Sequence, residues 1–591
     1  MEENIKLAYR NMKKNDGSTT PGVDGKTIEH LAKMTEKEVI ELVRNKLEWY
    51  TPKAIRRVEI DKGNGKKRPL GIASIEDRLI QQCILQVLEP ICEAKFHDRS
   101  NGFRPNRGVE NALAQAEKLI QSNKLYIVVD IDIKGFFDNV SHGKLLKQLW
   151  TIGIQDKKLI SIISAMLKGE IAEIGFPEKG TAQGSIISPL LSNVVLNELD
   201  WWIASQWEFM PTRHVYKEAI KANGTQSKSK KYRALRNSTL KECFIVRYAD
   251  DFKIFCRKHK DAVVMFEATK QWLKTRLGLD ISPEKSKIVN LKHSYSEFLG
   301  FRIKVHKKGK DTKCKPPVDK YVVKSHISEK ALKKIKTNAK ERIIAIQKTN
   351  GSRAGEYAIR DYNSFVMGMQ NYYSMATCVN PDIQTLAYEI KTSIKIRLNT
   401  RVKRRTNEAL TPYLSERYGK SKELRFINGV PLVPIGYVQH RVPLHKKAVV
   451  NKYTAEGRKE IHKQLETVDI ERVHELMRNP ISNETVEFND NCVSLFVAQR
   501  GKCAICKLPL TLENMRCVRK IPKSCGGDDK YNNLIIVHKE MERLIKSQDN
   551  KEIKRILNKY KLESNQRRKV NTIRKNAGLE EIDVKALDKE L

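Results

Sequence analysis

The sequence lacks any long hydrophobic run. No stretch approaches the roughly 18 consecutive apolar residues that a membrane-spanning helix needs, and the N-terminus has no apolar segment typical of signal peptides. Eleven cysteines in 591 residues do not form a disulfide framework, so most should be reduced thiols in the core. We therefore expect an intracellular, cytoplasmic protein with no membrane partner.

Acidic residues are scarce relative to basic ones. The chain has 111 Lys and Arg against 70 Asp and Glu, a formal net charge of +41. Such an excess repels itself unless a polyanion neutralises it, which favours nucleic acid over membrane as the partner. The basic residues are spread along a chain long enough for about two to four domains, so several domains should touch that partner. A ribosome-associated or general RNA-binding protein is the simplest alternative.

Carboxylates occur where the surrounding sequence predicts strands. The tetrad Tyr248-Ala249-Asp250-Asp251 separates two apolar runs, and Asp132 ends a third run that begins at Leu125. Buried carboxylates are costly without a cation beside them, and two divalent metals are the usual partners. The tetrad alone could be a solvated turn. Asp132 favours a metal site, because two strands that bring carboxylates to one point are what nucleotidyl transfer requires.

Periodicity and turn residues predict the remaining organisation. Residues 76–98 predict a helix, and 61–71 a basic hairpin with a glycine-containing tip. The basic insertion at 207–240 predicts a loop. After residue 301 the pattern changes to long basic amphipathic helices, the first with Ser328 as its N-cap and apolar residues at helical spacing: Leu332, Ile335, Ala339, Ile343 and Ile346.

Further motifs resemble, in chain order, those of the reverse transcriptases encoded by group II introns. The resemblance runs from about Asn4 to the end of the chain and rests on many separate motifs. They include 66–72 (KKRPLGI), 101–107 (NGFRPNR), 132–138 (DIKGFFD), 183–185 (QGS), 282–287 (SPEKSK) and 298–301 (FLGF). The family usually has additional residues before the block that starts near Asn4, so the N-terminal extension is expected to be missing and the RNA affinity reduced.

The resemblance implies a multidomain α+β fold with the right-hand architecture of polymerases. Its parts are fingers, a palm with an antiparallel sheet and a helical thumb, followed by a basic DNA-binding segment and a small degenerate module similar to HNH endonucleases. The implied boundaries are 1–125 for the N-terminal part of the fingers, 126–305 for the palm with fingers insertions, 306–400 for the thumb and maturase (X) domain, 401–492 for the DNA-binding region, 493–550 for the HNH-like module and 551–591 for a charged helical tail.

The same resemblance implies roles for individual residues of the polymerase. Asp132, Asp250 and Asp251 would be catalytic, with two Mg²⁺ ions held by Asp132 and Asp250 and tuned by Asp251. Asp130 would be secondary. Residues implied to bind the incoming dNTP are Lys62, Lys66, Arg68, Phe137, Gln183 and Lys285, although Lys285 could equally be a solvated lysine. The implied primer grip is Phe298, Leu299, Gly300 and Phe301.

Aromatic and basic residues after the grip resemble the maturase region. The implied RNA-binding residues are Arg353, Arg360, Tyr372 and Tyr373, since rings stack on unpaired bases and cations follow phosphates. Taken singly, Tyr372 and Tyr373 could instead pack a helix bundle.

The C-terminal module resembles an HNH endonuclease from Gln499 onward but departs from it at the catalytic positions. The family's histidine pair falls on Val518 and Arg519 and its later histidine on Glu542, whereas Asn533 remains. Valine takes no proton and arginine stays charged, so we expect no nuclease activity, although Glu542 could still bind a metal. Cys503 and Cys506 have the spacing of Zn²⁺ ligands. The second cysteine pair is replaced by His538 and Met541, although Cys517 and Cys525 are near in sequence and could substitute, which leaves zinc an open question.

The implied function is RNA-directed DNA synthesis combined with splicing of group II intron RNA, within a ribonucleoprotein of bacterial type that also engages dNTPs and target DNA. The alternatives are a splicing-only RNA-binding maturase and a reverse transcriptase repurposed for defence. A working homing nuclease is disfavoured by the missing histidines. The oligomeric state stays open.

Overall fold

The computed structural model describes residues 1–61, 67–216, 219–220, 226–311, 316–349, 353–404, 410–445, 450–462 and 470–583. The α-helices of these residues are α1 (Glu2–Lys13), α2 (Ile28–Ala32), α3 (Glu36–Glu48), α4 (Ile75–Glu93), α5 (Val109–Gln121), α6 (Phe136–Asn139), α7 (His142–Thr151), α8 (Lys157–Leu167), α9 (Ser188–Gln206), α10 (Ser229–Arg236), α11 (His259–Trp272), α12 (Glu329–Lys348), α13 (Arg353–Tyr373), α14 (Val379–Leu398), α15 (Pro412–Tyr418), α16 (Ala455–His462), α17 (Ile470–Arg478), α18 (Val486–Ala498), α19 (Lys539–Lys546), α20 (Asn550–Tyr560) and α21 (Ser564–Asn576).

The strands are short except for one hairpin. They are β1 (Arg56–Asp61), β2 (Lys67–Ile72), β3 (Ser100–Asn101), β4 (Ile127–Ile131), β5 (Ala219–Ile220), β6 (Gln226–Ser227), β7 (Cys243–Tyr248), β8 (Asp251–Cys256), β9 (Lys287–Asn290), β10 (Ser296–Phe298), β11 (Phe301–Asp311), β12 (Val318–Ile327), β13 (Val402–Lys403), β14 (Arg425–Ile427), β15 (Val430–Leu432), β16 (Met515–Arg519) and β17 (Leu534–His538). The chain is thus mixed α and β, as predicted.

The chain divides into two compact units. The first unit comprises Met1–Lys95, Ser141–Leu191 and Val449–Leu591, and the second comprises Phe96–Val140 and Ser192–Ala448. The domain boundaries at 125, 305, 400, 492 and 550 stay predictions. Among the described residues, no helix combines the length and the apolar character needed to cross a bilayer.

The first unit joins helices from the two ends of the chain. Helix α1 packs against α3, α4 and α18, and the buried Tyr9 of α1 donates a hydrogen bond of 2.6 Å to Glu487 on α18. Strands β1 and β2 form the predicted antiparallel hairpin, whose tip at 62–66 lies outside the described residues. The predicted helix at 76–98 is confirmed as α4, which begins after the N-cap Ser74 and ends at Glu93.

The second unit is built on a five-stranded sheet of order β3-β7-β8-β4-β9. Strands β7, β8, β4 and β9 pair antiparallel, whereas β3 joins β7 in parallel. The assignment of this sheet to a palm stays a prediction. Strands β4, β7 and β8 are almost entirely buried, because their apolar residues are covered on the α11 and α5 sides.

Long helices follow this sheet in the second unit. Ser328 caps α12, where its side chain accepts a hydrogen bond from the backbone N–H of Ala331, as predicted. Helices α12, α13 and α14 pack together, and α13 also packs on the sheet β13-β14-β15. The insertion at 207–240 is not only a loop, because it contains α10 and the short strands β5 and β6. Helix α10 ends at Arg236, whose guanidinium donates a hydrogen bond to the buried Glu242.

Candidate active site

The three predicted catalytic aspartates lie at one edge of the five-stranded sheet. Strand β4 pairs with β8 from Ile127 opposite Cys256 to Ile131 opposite Phe252. One further step in this register puts Asp132 opposite Asp251. Asp250 lies in the two-residue turn between β7 and β8, where Tyr248 pairs with Asp251. Two strands therefore bring their carboxylates to the same edge, and the catalytic role of these carboxylates stays a prediction.

The charges at this edge repel one another. The pKa of Asp251 is raised to about 6, first because the surrounding protein displaces water from the carboxyl, although solvent still reaches the side chain. The carboxylates of Asp130, Asp250 and Asp132 raise the pKa too, while Lys253 opposes them. This arrangement leaves an excess of negative charge at the sheet edge.

Two lysines offset part of this charge. Lys285 Nζ lies 3.0 Å from Asp132 Oδ2 in an exposed pair. Below it, the buried Lys253 lies 2.8 Å from Asp130, which also accepts a hydrogen bond from Ser296. Within the described ranges, no three Cys, His, Asp or Glu side chains converge closely enough to hold a metal ion. Asp130 is a buried partner of Lys253, and the secondary role predicted for it stays a prediction.

A buried arginine holds the turn that carries Asp250. Arg247, at the end of β7, is fully buried and donates to both carboxylate oxygens of Asp200 on α9, with the closest contact at 2.6 Å. Its other N–H groups donate to Ser100, to Asn193 and to the backbone carbonyl of Ala249. All five donors of the guanidinium are therefore used, and one of them fixes the turn directly.

Backbone geometry explains why the turn needs this support. Ala249 has a φ of +55°, a left-handed conformation that is unfavourable for a residue with a Cβ. Its N–H donates to the carbonyl of Asn101 at 2.9 Å. A Cβ on Gly102, whose φ is +77°, would lie 2.9 Å from the nitrogen of Ala249, so glycine allows this close approach. Sequence reasoning missed Arg247, Asp200 and Asn193; the available signal was their polarity within apolar segments.

The predicted nucleotide-binding residues fall in both units. In the first unit, Arg68 Nε donates to the Gln183 side chain at 2.7 Å, and Gly71 N–H donates to the Gln183 carbonyl. The structure thus brings these two predicted residues together. In the second unit, Phe137 is half-buried and its ring meets that of the buried Phe136 edge-on. Lys62 and Lys66 lie outside the described residues.

The predicted primer grip is a tight hairpin turn. Phe298 pairs with Phe301 across Leu299 and Gly300, both of which have positive φ, as two-residue hairpins favour. The two phenylalanine rings are buried, whereas Leu299 and Gly300 are half-buried. The phenylalanines therefore anchor the turn, and its two central residues are the more accessible part.

Tyr372 and Tyr373 pack against this turn. The Tyr372 hydroxyl donates to the carbonyl of Leu299 at 2.9 Å, and its ring stacks on Phe301. A Cβ atom added to Gly300 would lie 3.3 Å from the hydroxyl oxygen of Tyr373. Both tyrosines are half-buried, so packing against the turn accounts for much of their surface. Arg353 and Arg360 lie on the exposed side of α13, where Arg360 is 3.7 Å from Glu356.

Comparisons with known proteins agree with these motifs. Residues 60–303 match the profile of the family described as reverse transcriptase (RNA-dependent DNA polymerase). The group II intron-encoded protein LtrA of Lactococcus lactis subsp. cremoris is 31% identical over 420 residues, which cover 63% of this chain and 69% of LtrA. The chain belongs to the group II intron-encoded reverse transcriptases and maturases. It is accordingly an RNA-directed DNA polymerase, so both predictions are confirmed.

Other relatives of this group II intron-encoded protein match shorter parts of it. Protein YkfC of Escherichia coli K12 is 32% identical over 297 residues, covering 49% of this chain and 76% of YkfC. Nuclear intron maturase 2 of Arabidopsis thaliana, a mitochondrial protein, is 25% identical over 174 residues, covering 22% of this chain and 23% of that protein.

In the C-terminal part of this group II intron-encoded protein, the residues at the HNH positions bind other parts of the protein. Val518 is buried in β16 opposite Ile535. Arg519 donates to Asp529 at 2.7 Å and to Glu484 at 3.0 Å, and its guanidinium lies 4.4 Å from the centre of the Phe488 ring. The charge of Arg519 is therefore neutralised within the protein.

Asn533 and Glu542 are engaged in the same way. The Asn533 side chain accepts from the N–H of Ile521 and donates to the carbonyls of Ile521 and Asp528, which ties the segment after β16 to the start of β17. Glu542 lies 2.7 Å from Lys546 and 3.7 Å from Arg516.

The cysteines of this part form pairs instead of a four-ligand set. Cys503 is buried, and its sulfur accepts from the backbone N–H groups of Ile505 and His538. A hydrogen bond from the Cys506 thiol, together with these N–H groups, lowers the pKa of Cys503. Cys517 is hydrogen-bonded to Cys492, and Cys525 is exposed. No third described Cys, His, Asp or Glu joins Cys503 and Cys506 as a metal ligand, so the described donors do not fit a structural zinc ion.

Proposed function

We propose that this protein copies RNA into DNA at the sheet edge formed by β4, β7 and β8, and that it assists the splicing and mobility of a group II intron. Asp132 and Asp250 are the proposed ligands of two Mg²⁺ ions, and Asp251 adjusts the charge beside them. The observation that carries this proposal is the antiparallel pairing of β4 with β8, whose last pair, Ile131 opposite Phe252, directly adjoins Asp132 and Asp251. Burial first, and the neighbouring carboxylates second, raise the pKa of Asp251.

The residues at this edge fit magnesium chemically. Carboxylate oxygens are the ligands that Mg²⁺ prefers, and an excess of negative charge favours a divalent cation. When bound, the ions would lower the pKa of the primer 3′-hydroxyl and neutralise charge on the triphosphate. Lys285 neutralises Asp132 in the free protein; once a metal takes that role, its ammonium is available to the triphosphate.

Residues of both units position the substrates in this proposal. Arg68 contacts the triphosphate and Gln183 the nucleotide, and the hydrogen bond between them orients both. Lys62 and Lys66 would add cations at the hairpin tip. Phe137 would exclude a ribose 2′-hydroxyl by its bulk. Leu299 and Gly300 would contact the primer, since the rings of Phe298 and Phe301 are buried.

Basic and aromatic residues beyond the grip support a role in binding intron RNA. Arg353 and Arg360 are exposed on α13 and available to phosphates, whereas Tyr372 and Tyr373 shape the grip turn. The region 401–492 is the proposed contact with target DNA. The similarity to LtrA, a group II intron-encoded protein, favours neither the splicing-only alternative nor the defence alternative.

The C-terminal module is proposed to be a scaffold without nuclease activity. Catalysis of hydrolysis needs a group that can take a proton from water. Val518 has no such group, and Arg519 is neutralised by Glu484 and Asp529. Asn533 is already used to join two segments.

Primer extension on an RNA template with Mg²⁺ tests the polymerase site. The variant Asp250→Ala should lose roughly a thousandfold or more of the rate, since several kcal/mol of transition-state stabilisation depend on the metals. Asp138→Asn is the matched control, because Asp138 belongs to the same motif as Asp132 but is exposed at the start of α6. It should stay within about twofold of the wild type.

The same variants separate catalysis from RNA binding. Asp250→Ala should bind intron RNA as tightly as the wild type, because the substitution removes no cation. Synthesis retained by Asp250→Ala would refute the assignment of the catalytic edge. Loss of both RNA binding and synthesis would indicate misfolding, which circular dichroism of the variant would reveal.

A further inference from the structure

A cavity of about 290 Å³ in the second unit belongs to none of the sites described above. Helix α14 forms one wall with Ala387, Ile390 and Ile394, and the segment from Leu432 to Gly436 forms the opposite wall. These wall residues are mostly apolar. The volume is near the lower end of ligand pockets, which suits one planar ring system better than a folded peptide.

A tyrosine without a hydrogen-bond partner lines this cavity. Tyr362 on α13 is 1% exposed and contributes to the cavity wall. Its hydroxyl has no hydrogen-bond partner among the described residues, whereas the buried Tyr418 nearby donates to Gln370 at 2.6 Å. Burial raises the pKa of Tyr362 well above its ordinary value, so the hydroxyl keeps its proton. Because Tyr362 lines the cavity, its hydroxyl can pair there with water or with a ligand.

The wall opposite α14 is held rigidly. Asn363 donates to the carbonyl of Pro431 at 2.7 Å and accepts from the N–H of Val433 at 2.8 Å. Gln370 donates to the carbonyls of Pro434 and Ile435. The cavity is therefore fixed by side chains of α13 on both sides of Val433, and its shape does not depend on a bound ligand.

Cations surround the opening of the cavity. The charged residues that line the cavity are the basic Lys391, Lys395, Arg404 and Arg425 and the acidic Glu423. Glu423 pairs with Lys391 at 3.3 Å. Tyr388 lies one turn before Lys391 on the same helix and is 75% exposed, so an aromatic surface adjoins the cations. Apolar walls, an unpaired hydroxyl, several cations and an exposed ring together match a nucleotide, whose base is planar and whose phosphates are anionic.

We propose that this cavity binds one unpaired nucleotide of a bound nucleic-acid strand. The base enters between α14 and the segment 432–436 and hydrogen-bonds to the Tyr362 hydroxyl. The flanking phosphates contact Lys395 and Arg404, and a neighbouring base stacks on Tyr388. The strand could be intron RNA or DNA, and its identity rests on the proposed function. The site itself rests on the cavity and its charges.

Cross-linking of the full-length protein tests the site. The probe is a short single-stranded RNA with one 4-thiouridine, and an unlabelled RNA–DNA primer–template duplex in excess occupies the polymerase site. Cross-links are expected in peptides from α14 or from 425–436, identified by mass spectrometry. A DNA probe of the same sequence with 4-thiothymidine identifies the source, since the preferred strand should cross-link more. Cross-links confined to other regions with both probes would overturn the proposal.

Two sets of variants sharpen this test. Tyr362→Phe removes a hydroxyl that holds nothing in the described protein, so the variant should fold normally and bind the probe about 3- to 10-fold more weakly, as expected for one lost hydrogen bond. Lys395→Gln with Arg404→Gln should weaken binding and lower its salt dependence. Lys333→Gln with Lys334→Gln is the control, because these lysines are exposed on α12 and do not line the cavity.

The outcomes are distinct from those for the polymerase. Primer extension by the wild-type protein reports the catalytic site independently of the cavity. Equal probe affinity of Tyr362→Phe and wild type would refute the role of the hydroxyl. An equal loss in the Lys395/Arg404 pair and the Lys333/Lys334 pair would show general charge attraction and overturn a specific site.

Discussion

The edge of the five-stranded sheet and the C-terminal module both contain charged residues, but they differ in what neutralises the charge. At the sheet edge, burial raises the pKa of Asp251 to about 6, and repulsion by Asp130, Asp250 and Asp132 adds to the shift against the opposing effect of Lys253. In the module, Arg519 lies between Glu484 and Asp529. Despite desolvation, the hydrogen bonds from Thr485 and Arg519 lower the pKa of Asp529.

This difference separates a site that needs a ligand from one that does not. Charges left in excess by the fold can bind cations or substrates, and they cost stability until they do. Charges that are paired internally stabilise the local structure and are unavailable to a substrate. The comparison therefore favours chemistry at the sheet edge and a scaffold role for the C-terminal module.

The largest structural effect is expected from Arg247→Met. The substitution leaves Asp200 buried without a cation and removes the hydrogen bond to Ala249. Loss of one partner of a buried ion pair costs about 3–5 kcal/mol. Hydrogen exchange of the β7 and β8 amides should accelerate accordingly, and primer extension should fall because Asp250 is no longer fixed.

Two companion variants make the Arg247 experiment decisive. Arg233→Met, on the exposed face of α10, should change stability by less than about 0.5 kcal/mol. Adding Asp200→Asn to Arg247→Met should recover part of the loss, because the unpaired buried charge is removed. If the loss of unfolding free energy in the double variant equalled the sum of the losses in the two single variants, the ion-pair explanation would be contradicted.

The sequence predicted the sheet edge better than it predicted the support beneath it. Asp132 and Asp250 follow β-branched and apolar runs, and alternation along a strand is a local signal that needs no partner. Asp200 and Asn193, which accept hydrogen bonds from Arg247, lie 47 and 54 residues away from it, so no local pattern connects them. The cap of α12 by Ser328 was likewise a local signal. The alignment of the HNH positions with Val518 and Arg519 stays a prediction. The residues that Arg519 binds could be identified only from the folded structure.

A half-buried carboxyl outside the active site gives an independent case of unbalanced charge. Burial raises the pKa of Glu117 on α5 to about 7, with a hydrogen bond to Ser325 opposing the shift. The folded pKa lies above the ordinary value of 4.5. Stability from the neutral form is therefore present below pH 4.5 and is lost as the pH rises through about 7.

The variant Glu117→Gln should remove this part of the pH dependence. At pH 8 it should be more stable than the wild type by up to about 3 kcal/mol, since each unit of pKa corresponds to about 1.4 kcal/mol. At pH 4 the two should be nearly equal. Thermal unfolding across this pH range measures the difference, and parallel curves for the two proteins would show that Glu117 is not the titrating group.

The smallest effect is expected from Arg519→Met in the C-terminal module. Arg519 is 16% exposed and paired with Glu484 and Asp529, so its loss should cost about 1–3 kcal/mol of local stability. Protection of the β16 and β17 amides from exchange should decrease, whereas primer extension should stay within about twofold of the wild type. Arg500→Met, an exposed arginine in the same module, is the control. The contrary outcome is that the wild-type protein cleaves DNA and Arg519→Met, with its amide protection intact, does not. In that case the module would be a nuclease and the comparison with the sheet edge would fail.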